Sequence, residues 1–148
     1  MSATSADPDW IHAPPARFDL VASYFPERLQ EAEPGLKLRP GLVLAVLRGK
    51  TSGRYACRIA YGTKQLKLPR RQHLDLIIQD AADVALLGLA RPTRFDLDHT
   101  AVLPWTATFF GCWSGFATPV IGTLTEPYVR EFAYLMMKRG SVQPPDGI

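Results

Sequence analysis

The chain has 148 residues, 47% hydrophobic and 21% charged, a composition that excludes an intrinsically disordered protein and predicts one compact domain. No apolar run approaches the ~20 residues of a membrane helix, and the polar opening from Met1 to Pro8 lacks a signal-peptide core. The formal charge of +3 hides an asymmetry: ten of the seventeen Lys and Arg lie between Pro34 and Leu74, where there is no Asp or Glu.

Residues 1–16, with Pro8, Pro14 and Pro15 and no periodicity, read as an N-terminal arm. Phe18 to Phe25 predicts a first strand stopped by Pro26, and the polar stretch to Leu38 a long loop. Leu42 to Leu47 is a continuous apolar run of strand length, expected to be buried on both faces, and Arg48 to Gly53 carries hairpin-turn residues. From Arg54 to Tyr61 the chain alternates, with Tyr55, Cys57, Ile59 and Tyr61 on one face. Gly62 then marks a bend, bulge or close backbone approach.

Leu74 to Ile78 predicts another short strand, Asp80 to Leu87 a brief helix ended by Gly88, and Arg91 to Leu97 a strand continuing toward Leu103. Residues 104–118 form an aromatic insert holding Trp105, Phe109, Phe110, Trp113 and Phe116, expected to cover extra core although stacking on bases is open to it. Thr125 as N-cap and Pro127 in the first turn open a C-terminal helix. Its apolar stripe is read as Val129, Phe132, Ala133 and Met136, with Gly140 as the stop and residues 141–148 as a flexible tail. The fold class is therefore mostly β, a small barrel of five or six short strands spanning 17–140 and closed by a C-terminal α-helix.

The chemistry starts from charge. Outside the acid-free stretch seven bases face fourteen acids, so the basic residues are segregated as in a polyanion-binding protein, nucleic acid first. Lys and Arg guarding strand edges against aggregation are the alternative, but a total absence of acids goes beyond that need. Cys57 and Cys112, far apart and without a Cys-x-x-Cys, exclude a disulfide framework or zinc ribbon and fit a reducing cytoplasmic setting. Asp96, Asp98 and His99 match no metal-ligand spacing, and strand alternation would turn His99 away from the two carboxylates. Among polar residues at strand ends, Arg39 before Pro40 has an extended backbone, Thr63 follows Gly62, and Arg94 and Asp96 project from one face. Each also has a structural use, as a turn residue or half of an ion pair.

These positions carry a resemblance. The segment LKLRPGLVLAV, with Arg39 before Pro40, resembles the second-strand signature of the PemK/MazF family of bacterial toxins. IAYGTKQ, ending on Thr63, Lys64 and Gln65, is similar to the family's third-strand end. FDLVASYFPE, RPTRFDL and GTLTEPYVREFAYLMMKRG stand where the family has its first strand, its Arg-x-Asp strand and its C-terminal helix. The series runs from about Phe18 to Gly140. It departs at Arg17-Phe18-Asp19, where the family has Gly-Asp, and at the loop before Arg39.

The resemblance implies an SH3-like barrel, usually a homodimer, with cofactor-free and metal-independent endoribonuclease activity on single-stranded RNA, held in check by an antitoxin. It puts the catalytic positions on Arg39, Thr63, Arg94 and Asp96. Lys37, Lys64, Gln65, Lys67, Arg70 and Arg71 are the expected RNA-binding residues around them. Attack by an RNA 2′-hydroxyl requires a base, which Asp96 can be, and charge on the phosphorane, which Arg39 and Arg94 can supply with Thr63 holding an oxygen. A barrel that binds nucleic acid or protein without cutting is the alternative.

Overall fold

A computed structural model describes residues 9–28, 33–66 and 74–142, with side chains to Gly140. Six strands and two helices follow in the order β1 (Asp19–Ser23), β2 (Arg39–Arg48), β3 (Tyr55–Thr63), β4 (Leu76–Ile78), α1 (Ala81–Leu86), β5 (Thr93–Pro104), β6 (Val120–Thr123) and α2 (Glu126–Val142). The strands make one antiparallel sheet, β4-β5-β3-β2-β1-β6, curled into a half-barrel. Among the described residues no helix is long and apolar enough to cross a membrane.

The sheet is apolar on both faces, but the β2 run expected to be buried throughout is so only at Leu42 and Val43; Leu44, Ala45 and Val46 are half-buried and Leu47 is exposed. Leu42 joins a first core with Leu20, Phe95, Leu97, Phe132 and Leu135, and Val43 a second with Val21, Cys57, Ile59, Trp105 and Phe110. The first core is closed by α2. The second is closed by the aromatic segment, with Trp105, Phe109 and Phe110 all buried. The arm is tied there too: Ile11 N donates to Trp105 O at 3.1 Å, and Trp105 Nε1 to Ala13 O at 2.7 Å.

Local chemistry sets the ends of the elements. The β2–β3 turn closes with Gly49 N donating to Arg54 O at 2.8 Å, and Gly53 takes the positive φ the turn requires. Asp80 caps α1 by accepting from Ala82 N and Asp83 N. Where the resembled family has a Gly before Asp19, Phe18 itself adopts φ 74°. Its ring packs on Phe132 at 5.3 Å, and Asp19 holds the turn by accepting from Ala16 N and Thr123 Oγ1.

Three other expectations are corrected. Strand β6 has no counterpart in the sequence reading: it has four residues, and its Gly122 is there because Leu87 O would lie 2.4 Å from a Cβ. The buried face of α2 is Phe132, Leu135 and Arg139, flanked by Tyr128 and Val129, while Ala133 is exposed and Met136 is 44% exposed. Tyr128 Oη donates to Asp83 at 2.6 Å and Arg139 reaches Leu74 O and Asp98, so the helix is rotated by polar anchors that an apolar periodicity omits. Gly140 is no stop, since α2 continues through Ser141 and Val142.

Candidate functional site: a polar row and a basic groove

The register assembles the site. Residues paired across antiparallel strands share a face. Thr63 pairs with Arg94 and Tyr61 with Asp96, so these four lie on the face of the second core, while the intervening Gly62–Phe95 pair faces the first. Gly41 pairs with Tyr61, which carries Arg39 to the level of Thr63 on the same face, and Ser23 pairs with Arg39. Four neighbouring strands thus contribute one row, Ser23, Arg39, Thr63 and Arg94, with Asp96 one step along. The sequence separates these residues by up to 73 positions. Gly62 allows the approach: a Cβ there would meet Pro40 O at 2.4 Å and the Phe95 ring at 2.9 Å.

The members differ in what holds them. Arg39 is half-buried with its guanidinium 5.8 Å from the Tyr61 ring centre, and among the described residues no carboxylate lies within ion-pair distance of it. Thr63 Oγ1 accepts from Gln65 N at 3.1 Å. Arg94 is 4% exposed and held at two nitrogens: Nη1 bonds Asp75 Oδ2 at 2.7 Å and lies 3.6 Å from Asp96 Oδ2, and Nε donates to Gln65 O at 2.9 Å. An open fork for phosphate was expected of Arg94; its guanidinium is instead part of the scaffold that holds Asp96. Ser23 Oγ is buried without a partner among the described residues, and nothing in the sequence singled it out.

The same network shapes β5. Between the Tyr61–Asp96 and Ala60–Thr100 pairs, Leu97, Asp98 and His99 have no partner on β3, a three-residue bulge. Carboxylates satisfy its backbone: Leu97 N donates to Asp75 Oδ1 at 3.3 Å and Asp98 N to Asp96 Oδ1 at 3.0 Å. Arg139 ties Asp98 to the helix and lies 3.8 Å from Asp75 Oδ1. The bulge reverses the alternation beyond Asp96. His99, expected on the opposite face, therefore packs against Tyr61 with ring centres 4.9 Å apart and against Phe25 at 5.3 Å.

On the first-core side of the sheet, with Pro40, Gly62 and Thr93 in its wall, a groove of about 330 Å³ opens between the start of β2, the end of β3 and the loop that enters β5. Lys37, Arg39, Lys64 and Arg91 line it without any acid, and Leu38 and Trp113 supply apolar wall. Lys37 and Lys64, two of the residues expected to bind RNA, are among its walls. Gln65 serves through its backbone, and Lys67, Arg70 and Arg71 lie outside the described residues. Arg91 was not anticipated, because it lies beyond the acid-free stretch. Only Arg39 belongs to both row and groove. Such a groove can bind a phosphate chain and present Trp113 to a base.

Comparison with the models of known protein families and with the sequences of curated proteins finds no match to this chain.

Proposed function

We propose that this protein is a metal-independent endoribonuclease of the PemK/MazF toxin type, built on an SH3-like barrel and cleaving single-stranded RNA at selected sequences. The observation that carries the reading is the cross-strand register, in which Arg39, Thr63 and Asp96 share one face. Arg39 also lines an acid-free, cation-rich groove whose Pro40 and Gly62 walls belong to the other face of the sheet. The groove would hold the RNA backbone by charge. Asp96 takes the proton of the 2′-hydroxyl as its oxygen attacks phosphorus, Arg39 stabilises the charge of the phosphorane, and Thr63 donates to a non-bridging oxygen. Arg94 acts indirectly, by positioning Asp96. As in the resembled family, the active form is a cytoplasmic homodimer neutralised by an antitoxin.

The test is incubation of purified protein with single-stranded RNA in EDTA. The expected products carry 2′,3′-cyclic phosphate and 5′-hydroxyl ends, and they vanish for the Arg39→Ala, Asp96→Asn double variant. Intact RNA, or cutting that survives the double substitution, overturns the mechanism. The burial of Arg94 favours a second reading, a barrel that binds nucleic acid or protein without cutting. Salt-dependent affinity with RNA recovered whole would support it.

A further inference from the structure

With Asp96, Arg39 and Thr63 alone, the proposed nuclease site lacks a proton donor. Asp96 can accept the 2′-hydroxyl proton, but the departing 5′-oxygen must gain one. Guanidinium and phenol groups are poor proton donors, so neither Arg39 nor Tyr61 is suited to that role. Histidine is the side chain whose ordinary pKa lies in the neutral range. His99 lies on this face, its ring held between contacts to Tyr61 at 4.9 Å and Phe25 at 5.3 Å, and Tyr61 is the register partner of Asp96 and the ring beneath Arg39. It is half-buried, oriented by aromatic rings, and is carried to this face by a bulge that two carboxylates pin in place.

We propose that His99 is the general acid of this site, an inference that rests on the nuclease reading. As the bond from the 2′-oxygen to phosphorus forms, Asp96 takes the 2′-hydroxyl proton. As the bond from phosphorus to the 5′-oxygen breaks, the His99 imidazolium gives that oxygen its proton. The products are a 2′,3′-cyclic phosphate and a 5′-hydroxyl, and exchange with solvent returns Asp96 to carboxylate and His99 to imidazolium. The bulge is then part of the catalytic apparatus, because it puts acid and base on the same face of one strand.

The experiment uses a synthetic oligoribonucleotide containing a site mapped by wild-type digestion of total RNA. It is made once with the natural linkage and once with sulfur replacing the 5′-bridging oxygen. A thiolate departs without protonation, so loss of a general acid is felt only on the natural linkage. His99→Gln is expected to cut the natural linkage ~100-fold or more slowly than wild type, yet the sulfur linkage within about fivefold, the scale of a lost proton donor. His99→Phe keeps the packing between Phe25 and Tyr61 and should show the same split, whereas Asp96→Asn should be slow on both. If both His99 variants cut the natural linkage like wild type, or are equally slow on both linkages, the inference falls while the nuclease stands. Wild-type protein that cuts neither substrate overturns both.

Discussion

The groove and the row meet at Arg39 and use charge in opposite ways. The groove holds Lys37, Arg39, Lys64 and Arg91 with no acid among its walls. The far end of the row holds Arg94 and Arg139 interlocked with Asp75, Asp96 and Asp98. Both regions are rich in arginine, yet only the first has charge to offer a ligand. A cation's partners, more than its presence, decide whether it binds or builds.

The largest effect expected from that contrast is on folding. Asp75 is buried between two guanidinium groups, so Asp75→Ala or Arg94→Ala should destabilise the protein by about 3–5 kcal/mol, read from urea unfolding. The Asp75→Leu, Arg94→Met pair should lose less than either alanine variant, because no unpaired charge stays buried. A loss below about 0.5 kcal/mol for Arg94→Ala, typical of surface substitutions, would mean that Arg94 is available to a ligand after all.

On the groove side, replacing the exposed Lys37, Lys64 or Arg91 should hardly change stability and should weaken binding, whereas Trp113 also packs on the first core. Trp113→Ala is expected to weaken single-stranded RNA binding by about 1–3 kcal/mol if a base stacks there. Lys37→Ala, Lys64→Ala and Arg91→Ala should each flatten the slope of log affinity against log salt by about 0.7 for each phosphate that the removed cation had neutralised. An unchanged slope in all three would separate the groove from the RNA.

The smallest effect is seen only at alkaline pH. Burial in the second core pushes the Cys57 thiol from 9.0 up to about 12. The unfolded chain loses that proton first as pH rises, so this contribution to stability is complete below pH 9 and disappears as pH climbs toward 12. Burial and the hydrogen bond to Asp83 also raise the pKa of Tyr128, which adds to the alkaline loss. Cys57→Ala should flatten the decline of urea midpoint over that interval. At neutral pH, iodoacetamide should label the exposed Cys112 and spare Cys57.

How much of this was legible differs by element. Strand β3 was readable because Cys57 and Ile59 alternate with smaller or charged residues, and α1 because Asp80 and Gly88 bracket it. Strand β6 was not, since four residues with an internal glycine carry too little pattern. The apolar stripe misplaces the buried face of α2 because Arg139, buried by its bonds to Leu74 O and Asp98, counts as a surface residue when only apolar spacing is considered. Arg39, Thr63, Arg94 and Asp96 could be named; His99 was visible beside Asp96 but regular alternation set it on the wrong face, and Ser23 has no local mark.

By itself the sequence determined the mostly β character, the C-terminal helix, the acid-free basic stretch and the four strand-end polar residues. These follow from local periodicity, turn chemistry and composition, which need no knowledge of partners. Tertiary structure alone decided that Arg94 would be neutralised, that Arg91 would complete the groove and that a bulge would turn His99 toward Tyr61. The physical reason is that availability of charge and direction of a side chain depend on cross-strand register. Register is set by pairings between residues remote in the chain, and one bulge reverses every face beyond it.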